Sequence, residues 1–193
     1  MKYYIGIDLG GTNIKAGVVN EKFEIIAKAS TKTLCPRPAK DICDDMAKVS
    51  IEACKLAGIS VDDVEWIGVG TPGIADNING TIPYSNNLDF HDVPVRKYIQ
   101  AHINKPVYVA NDANAAAFVA GAAKGAKNAV CITLGTGVGA GIIVDGKILT
   151  GSNLAGAELG HMVIEVDGPQ CTCGRKGCFE VFSSATGLIR MTK

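Results

Sequence analysis

The feature that most restricts the fold is a repetition. An apolar run, Tyr3 to Leu9, leads into Gly10-Gly11-Thr12-Asn13 and then into a second apolar run, Ile14 to Val19. The pattern returns at residues 129–134, which read as another buried strand, followed by Gly135-Thr136-Gly137-Val138-Gly139-Ala140-Gly141 and Ile142 to Val144. Asp145-Gly146 then turns the chain back into Lys147 to Thr150. Short apolar runs bounded by glycine turns read as strands, and Glu24 to Ala29 extends the first copy to a three-stranded antiparallel meander. Glycines let backbone N–H groups converge on an anion, so two lobes with a Gly-Thr turn each could grip one polyphosphate from opposite sides. A plain hairpin also takes Gly-Gly, and either turn alone leaves both readings open.

Between the copies, Ile42, Met46, Val49, Ala53 and Ala57 recur at helical spacing over residues 40–57, and Gly58 is placed to end that helix. Val64 to Val69 reads as a strand leading into Gly70-Thr71-Pro72-Gly73. Such an exit is either a simple turn or a loop that brings backbone close to a sugar. Residues 76–90 are polar and Asn-rich and read as an irregular excursion, before a short amphipathic helix from Val95 to Ile103. A strand from Val107 to Ala110 hands over at Asn111-Asp112-Ala113-Asn114 to an Ala-rich helix over 113–124. Asp112 either caps that helix or sets a carboxylate at the carboxyl end of a strand, where α/β proteins place chemistry.

His161, Cys171, Cys173 and Cys178 offer one imidazole and three thiols in a short span, a standard set for a structural zinc ion. Gly174 and Gly177 lie where the loop must bend around a metal. An incidental Cys-rich loop or a disulfide is the competing reading, and iron accepts the same soft ligands as zinc. A closed four-ligand site leaves no open position for catalysis. The metal then reads as a brace holding His161 and two flanking acids at a polar pocket: Glu158, one helical turn before it, and Glu180, just after Cys178. Of the other cysteines, Cys35, Cys43, Cys54 and Cys131, the last three fall on faces that read as buried. That usage suits a reducing cytoplasm better than an oxidised secreted scaffold.

The chain's 193 residues suffice for a real core, with roughly 70% of the unfolded surface buriable at this size. Nineteen basic residues balance nineteen acidic ones, so no electrostatic case exists for nucleic acid or an anionic membrane. No apolar run reaches the ~20 residues that span a bilayer. The N-terminus enters a strand pattern at once, with no cleavable signal, so the expected location is the cytoplasm.

Four motifs together, Asp8-Leu9-Gly10-Gly11-Thr12-Asn13-Ile14-Lys15, Asn111-Asp112-Ala113-Asn114, Leu134-Gly135-Thr136-Gly137-Val138-Gly139 and the His161/Cys171/Cys173/Cys178 clip, resemble the ROK family. That family comprises bacterial sugar kinases and sugar-responsive repressors. The resemblance implies an α/β chain on the actin-like (ribonuclease H-like) ATPase fold. The N-terminal domain would occupy 1–111, and a partial second domain 112–193. It implies ATP-dependent phosphorylation of a hexose at its 6-hydroxyl, with glucose as the leading substrate. Gly10, Gly11, Thr12, Asn13 and Lys15 look like the first phosphate motif, and Asp8 like its magnesium-organising acid. Gly135, Thr136 and Gly137 look like the second phosphate turn, and Asp112 like the catalytic base. Asn111, Glu158, His161 and Glu180 look like sugar-hydroxyl ligands, with Asn87 and Gly73 as further candidates. His161 can serve metal and sugar together because imidazole has two nitrogens. The implied cofactors are structural Zn²⁺ and Mg²⁺ with ATP, and the expected assembly is a homodimer.

The chain also departs from that family. Its kinases continue well past this point, so the polypeptide resembles the N-terminal two-thirds of one and is expected to bind sugar weakly, bind ATP poorly and turn over little. Apolar sheet surface is expected to lie open. Ala140 stands where many relatives carry glycine, flanked by Gly139 and Gly141. The nearest alternative is an N-acetylglucosamine or N-acetylmannosamine kinase. The repressor reading lacks a helix-turn-helix segment ahead of residue 8. A nonenzymatic sugar-binding fragment is a third reading, against which a retained Asp112 argues.

Overall fold

The computed structural model describes residues 1–123 and 125–192. The backbone divides into two compact units, Met1–Asp112 and a second beginning at Ala113. The first opens with β1 (Tyr3–Leu9), β2 (Asn13–Asn20) and β3 (Ile25–Lys32), an antiparallel meander as expected. Helix α1 (Ala39–Ala57) follows. Next come β4 (Val64–Thr71), β5 (Ile74–Asp76), β6 (Thr81–Ser85), β7 (Phe90–Val93), α2 (Val95–Gln100) and β8 (Val107–Asn111). Strands β4 and β8 run parallel to β1, giving the sheet order β3-β2-β1-β4-β8. This is the ribonuclease H-like arrangement of the actin-like ATPase fold.

Period-two alternation decides which face is covered. Ile5, Ile7, Leu9, Ile14, Ala16, Val18, Ile67 and Val69 point into one core, where α1 contributes Ile42, Met46 and Ala53. Each of these Ile, Leu, Val and Met side chains is worth about 1.5–3 kcal/mol on burial. Gly58 ends α1 at φ 70, donating its N–H to Lys55 O while Ile59 N donates to Cys54 O. That pair of bonds is a Schellman close, and a left-handed residue there favours glycine.

Residues 76–90, expected to be irregular, instead contribute to a three-stranded sheet of β5, β6 and β7. The polar residues that suggested a loop are spent on two turns, one at 76–79 and a 3-10 turn at Asn86–Leu88. Asp76 Oδ1 accepts from the N–H groups of Ile78 (2.9 Å) and Asn79 (3.1 Å), and Arg96 donates to the carbonyls of Asn77 and Ile78. Ile82, Leu88 and Phe90 from this region are buried, as is Val93 at the end of β7. The second helix is also shorter than expected, closing at Gln100.

Helix α3 (Asp112–Ala123) enters the second unit; Lys124, the expected end of that helix, lies outside the described residues. There β9 (Ala129–Leu134), β10 (Val138–Val144) and β11 (Lys147–Ile148) form a second antiparallel meander. A Cβ at Gly141 would lie 2.5 Å from Ala117 Cβ, so the glycines of β10 let the Ala-rich helix sit against the strand. The expectation that 129–134 is buried is corrected. Val130, Ile132 and Leu134 are 59%, 48% and 67% exposed, and Cys131 is only half-buried. β9 is an edge strand, whereas its counterpart β1 has β4 on its other side. The chain continues through a 3-10 turn (Leu159–His161), α4 (Phe179–Ser183) and α5 (Ala185–Met191). Among the described residues, no helix is long and apolar enough to cross a membrane.

Candidate functional site

In the first unit, the loop after β1 is held by one hydroxyl-bearing residue beyond β3. Thr33 Oγ1 donates to Gly10 O (2.6 Å) and Thr33 N to Thr12 O (3.0 Å), while Gly10 N reaches Asn13 O (3.0 Å). Two carbonyls of the turn are thereby drawn to one side, as an anion-receiving turn requires, since carbonyl oxygens repel phosphate. Asp8 is exposed and faces Lys15 across the β1–β2 pair, Oδ2 to Nζ 3.5 Å. Asn87 is exposed on a short 3-10 turn, and a Cβ on Gly11 would lie 3.5 Å from its carbonyl oxygen.

The carboxyl ends of the parallel strands gather the next group. Thr71 and Asn111 are in register on β4 and β8, and Asp112 follows as the exposed first residue of α3. Asn111 Nδ2 donates to Gly73 O at 3.0 Å, joining two candidate sugar ligands. Gly73 adopts φ 90, and a Cβ there would overlap the Tyr84 carbonyl and lie 2.8 Å from Ser85 Cα. Only glycine fits. Asp8 is in register with Gly70, whose Cβ position is 3.8 Å from Asp112 Cα, so both acids belong to the same end of the sheet.

In the second unit, the turn between β9 and β10 carries Gly135, Thr136 and Gly137. Gly135 N donates to Gly137 O (3.0 Å), and Val138 N donates to Glu180 Oε2 (2.9 Å). A Cβ on Gly137 would run into that Glu180 carboxylate. Glu180, read from sequence only as a sugar ligand, is therefore also bonded to the end of the glycine turn. Glu158 is exposed, and its carbonyl accepts from His161 N (3.1 Å) across the 3-10 turn. Gly160 between them is buried, and a side chain there would strike the Val138 carbonyl.

The clip is assembled. The donor atoms of His161, Cys171, Cys173 and Cys178 all lie within 4.8 Å of one another. Cys171 Sγ is 3.7 Å from His161 Nδ1, and Cys173 Sγ is 3.6 Å from Cys178 Sγ. A tetrahedron with zinc–ligand bonds of about 2.0–2.3 Å has edges of roughly 3.5–3.8 Å, so the donor set fits the ion. A disulfide needs sulfurs at about 2.05 Å, and all seven cysteines are free. Nδ1 is the histidine atom turned to the sulfurs. Gly174 and Gly177 sit at φ 89 and 69 and supply the bends. Burial works against ionisation of Cys173, but the N–H and guanidinium of Arg175 and the neighbouring thiols outweigh it, bringing the thiol down to about 6. Burial and the adjacent Cys173 push Cys178 up to about 12.

The residues missed from sequence are those that hold the turns: Thr33, Gly160, and the Ser184-Ala185-Thr186 link after α4. Only the last had a local signal, an N-cap serine whose Oγ accepts from Gly187 N (3.0 Å).

Comparison with known proteins matches the ROK family over residues 4–193. The glucokinase of Thermotoga maritima is 38% identical over 195 residues, 98% of this chain and 59% of that protein. The xylose repressor of Bacillus spizizenii is 32% identical, over 97% of this chain and 49% of that protein. The crystal structure of a ROK family glucokinase from Streptomyces griseus, in complex with glucose and AMPPNP, has a TM-score of 0.85 and 37% identity over 97% of this chain and 59% of that one. The chain thus spans less than two thirds of these relatives. With the glycine turns, the Asn111-Asp112 pair and the four-donor clip in one order on one fold, the chain belongs to the ROK family.

Proposed function

We propose that this chain forms the sugar- and phosphate-recognising part of an ATP-dependent hexose kinase, with glucose as substrate and its 6-hydroxyl as acceptor. The observation that carries the reading is Asp112, an exposed carboxylate at the carboxyl end of β8, beside Asn111 bonded to Gly73. A passive binder uses such a carboxylate only as a hydroxyl acceptor, whereas a kinase also needs it as a base, and the rate of an Asp112→Asn variant separates the two. Asp112 accepts the proton of the attacking hydroxyl, a contribution typically of ~10²–10⁴-fold. Asn111, Glu158, His161 and Glu180 pair with sugar hydroxyls and penalise a sugar that leaves them unmatched. The turns at 10–13 and 135–137 receive phosphates, and Asp8 takes the Mg²⁺ that accompanies ATP. His161, Cys171, Cys173 and Cys178 hold Zn²⁺, which when bound supplies structural bracing. Nδ1 of His161 serves the metal and leaves Nε2 for a sugar hydroxyl.

Calorimetric titration of the chain with glucose, N-acetylglucosamine and N-acetylmannosamine, with zinc assayed on the same sample, tests the substrate. Selective glucose binding is expected, and preference for an acetylated sugar would replace the glucose assignment. In the full-length kinase, Asp112→Asn should keep glucose affinity and lose ~10²–10⁴-fold in phosphorylation rate. Unchanged turnover would remove Asp112 from the chemistry.

A further inference from the structure

The turn at 135–137 is bracketed from the segment that follows the clip. Ala185 N donates to Gly135 O at 2.9 Å, and Thr186 Oγ1 donates to Thr136 O at 2.7 Å. On the far side of the turn, Val138 N donates to Glu180 Oε2. The hydroxyl protons permit one arrangement. Thr186 spends its only proton on Thr136 O, so at the 3.0 Å contact between Ser184 Oγ and Thr186 Oγ1 it is Ser184 that donates. Ser184 Oγ in turn accepts from Gly187 N at 3.0 Å. A directed chain results: Gly187 N–H to Ser184, Ser184 to Thr186, Thr186 to the turn. Each member polarises the next. Two successive carbonyls, Gly135 and Thr136, are fastened towards α5. The bracket begins at the clip, since Cys178 is the residue from which α4 starts.

From this we infer that Thr186 is a positioning residue for nucleotide binding: its hydroxyl holds the Thr136 carbonyl aside, so that the turn offers N–H groups to a phosphate. The inference rests on reading 135–137 as a phosphate turn. Thr186 does not touch the nucleotide in this account and acts through the backbone of Thr136.

Thr186→Val removes the hydroxyl from an exposed position at nearly constant volume, and Thr186→Ser retains it. The experiment measures, on the 193-residue chain, amide hydrogen exchange at Gly135 and Val138 together with affinities for Mg²⁺–AMPPNP and glucose. Thr186→Val should speed exchange at both amides and weaken AMPPNP about two- to tenfold, the range of one net hydrogen bond, with glucose affinity unmoved. Thr186→Ser should restore both. A Thr186→Val chain with wild-type exchange and wild-type AMPPNP affinity overturns the inference, as does equal weakening of glucose and nucleotide. If the wild-type chain takes no AMPPNP, the same comparison is made with Mg²⁺–tripolyphosphate, which needs no adenosine pocket; if it takes neither, the phosphate-turn reading fails and with it the role of Thr186 in nucleotide binding, whatever the exchange rates show about the bracket.

Discussion

Two glycines of the clip separate backbone conformation from packing. Gly174 lies at φ 89 with nothing within 4 Å of its Cβ position. Gly177 lies at φ 69, and a Cβ there would overlap the Glu165 carbonyl oxygen and sit 2.7 Å from its carbon. Alanine at either position carries the left-handed cost of about 1–2 kcal/mol. Gly177→Ala must in addition push the Glu165 segment away. That endangers the bonds from Ile164 N to Gly177 O (2.9 Å) and from Gly177 N to Pro169 O (2.9 Å). At about 1 kcal/mol net each, the total approaches ~3–4 kcal/mol against ~1–2 for Gly174→Ala. Because Cys178 is the next residue, distortion at Gly177 falls on the 3.6 Å spacing of Cys173 and Cys178. Zinc affinity should drop about 10²–10³-fold in Gly177→Ala and only about 5–30-fold in Gly174→Ala, if each cost falls wholly on the metal-bound form. Competition against a chromophoric chelator, with the tetrahedral cobalt spectrum as a second readout, measures both. Equal losses in the two variants would refute the packing argument, and a wild-type chain that takes up no zinc would refute the metal assignment.

Two further outcomes follow from the second unit. In the metal-free chain Cys173 is exposed with its thiol at about 6, while Cys178 is buried at about 12. Thiolate at Cys173 therefore persists at neutral pH and disappears as pH falls through 6, whereas Cys178 stays protonated. Alkylation at pH 7 followed by peptide mapping should label Cys173 first, and zinc should suppress it; a Cys173 rate with its midpoint near that of an ordinary thiol would contradict this. The open apolar row of Val130, Ile132 and Leu134 on an edge strand should make the chain self-associate across the micromolar range, and Ile132→Lys should reduce that association. A wild-type chain that sediments as a monomer throughout would show that the row is harmless.

What could be read from the chain, and what could not, divides by the range of the interactions. The repeat, the meander and the end of α1 at Gly58 are written in neighbouring residues, and the clip in four donors within eighteen positions, His161 to Cys178. The β5–β7 sheet was obscured because its Asn and Asp residues build the two turns, at 76–79 and 86–89, while its apolar residues are too sparse for period-two reading. β9 misled in the opposite sense. Its alternation specifies a strand with an apolar face, but whether anything covers that face is settled by other elements. The turns make the same point for function. Gly10-Gly11-Thr12 and Gly135-Thr136-Gly137 announce themselves, yet their carbonyls are set by Thr33 and Thr186, 23 and 50 residues away. A glycine turn only permits an anion site, because the same conformational freedom allows the carbonyls to face the ligand and repel it. On the proposed phosphate role, a distant hydroxyl that fixes the peptide planes is what would separate a cradle from a plain hairpin, and Thr33 and Thr186 hold a carbonyl of each turn in this way.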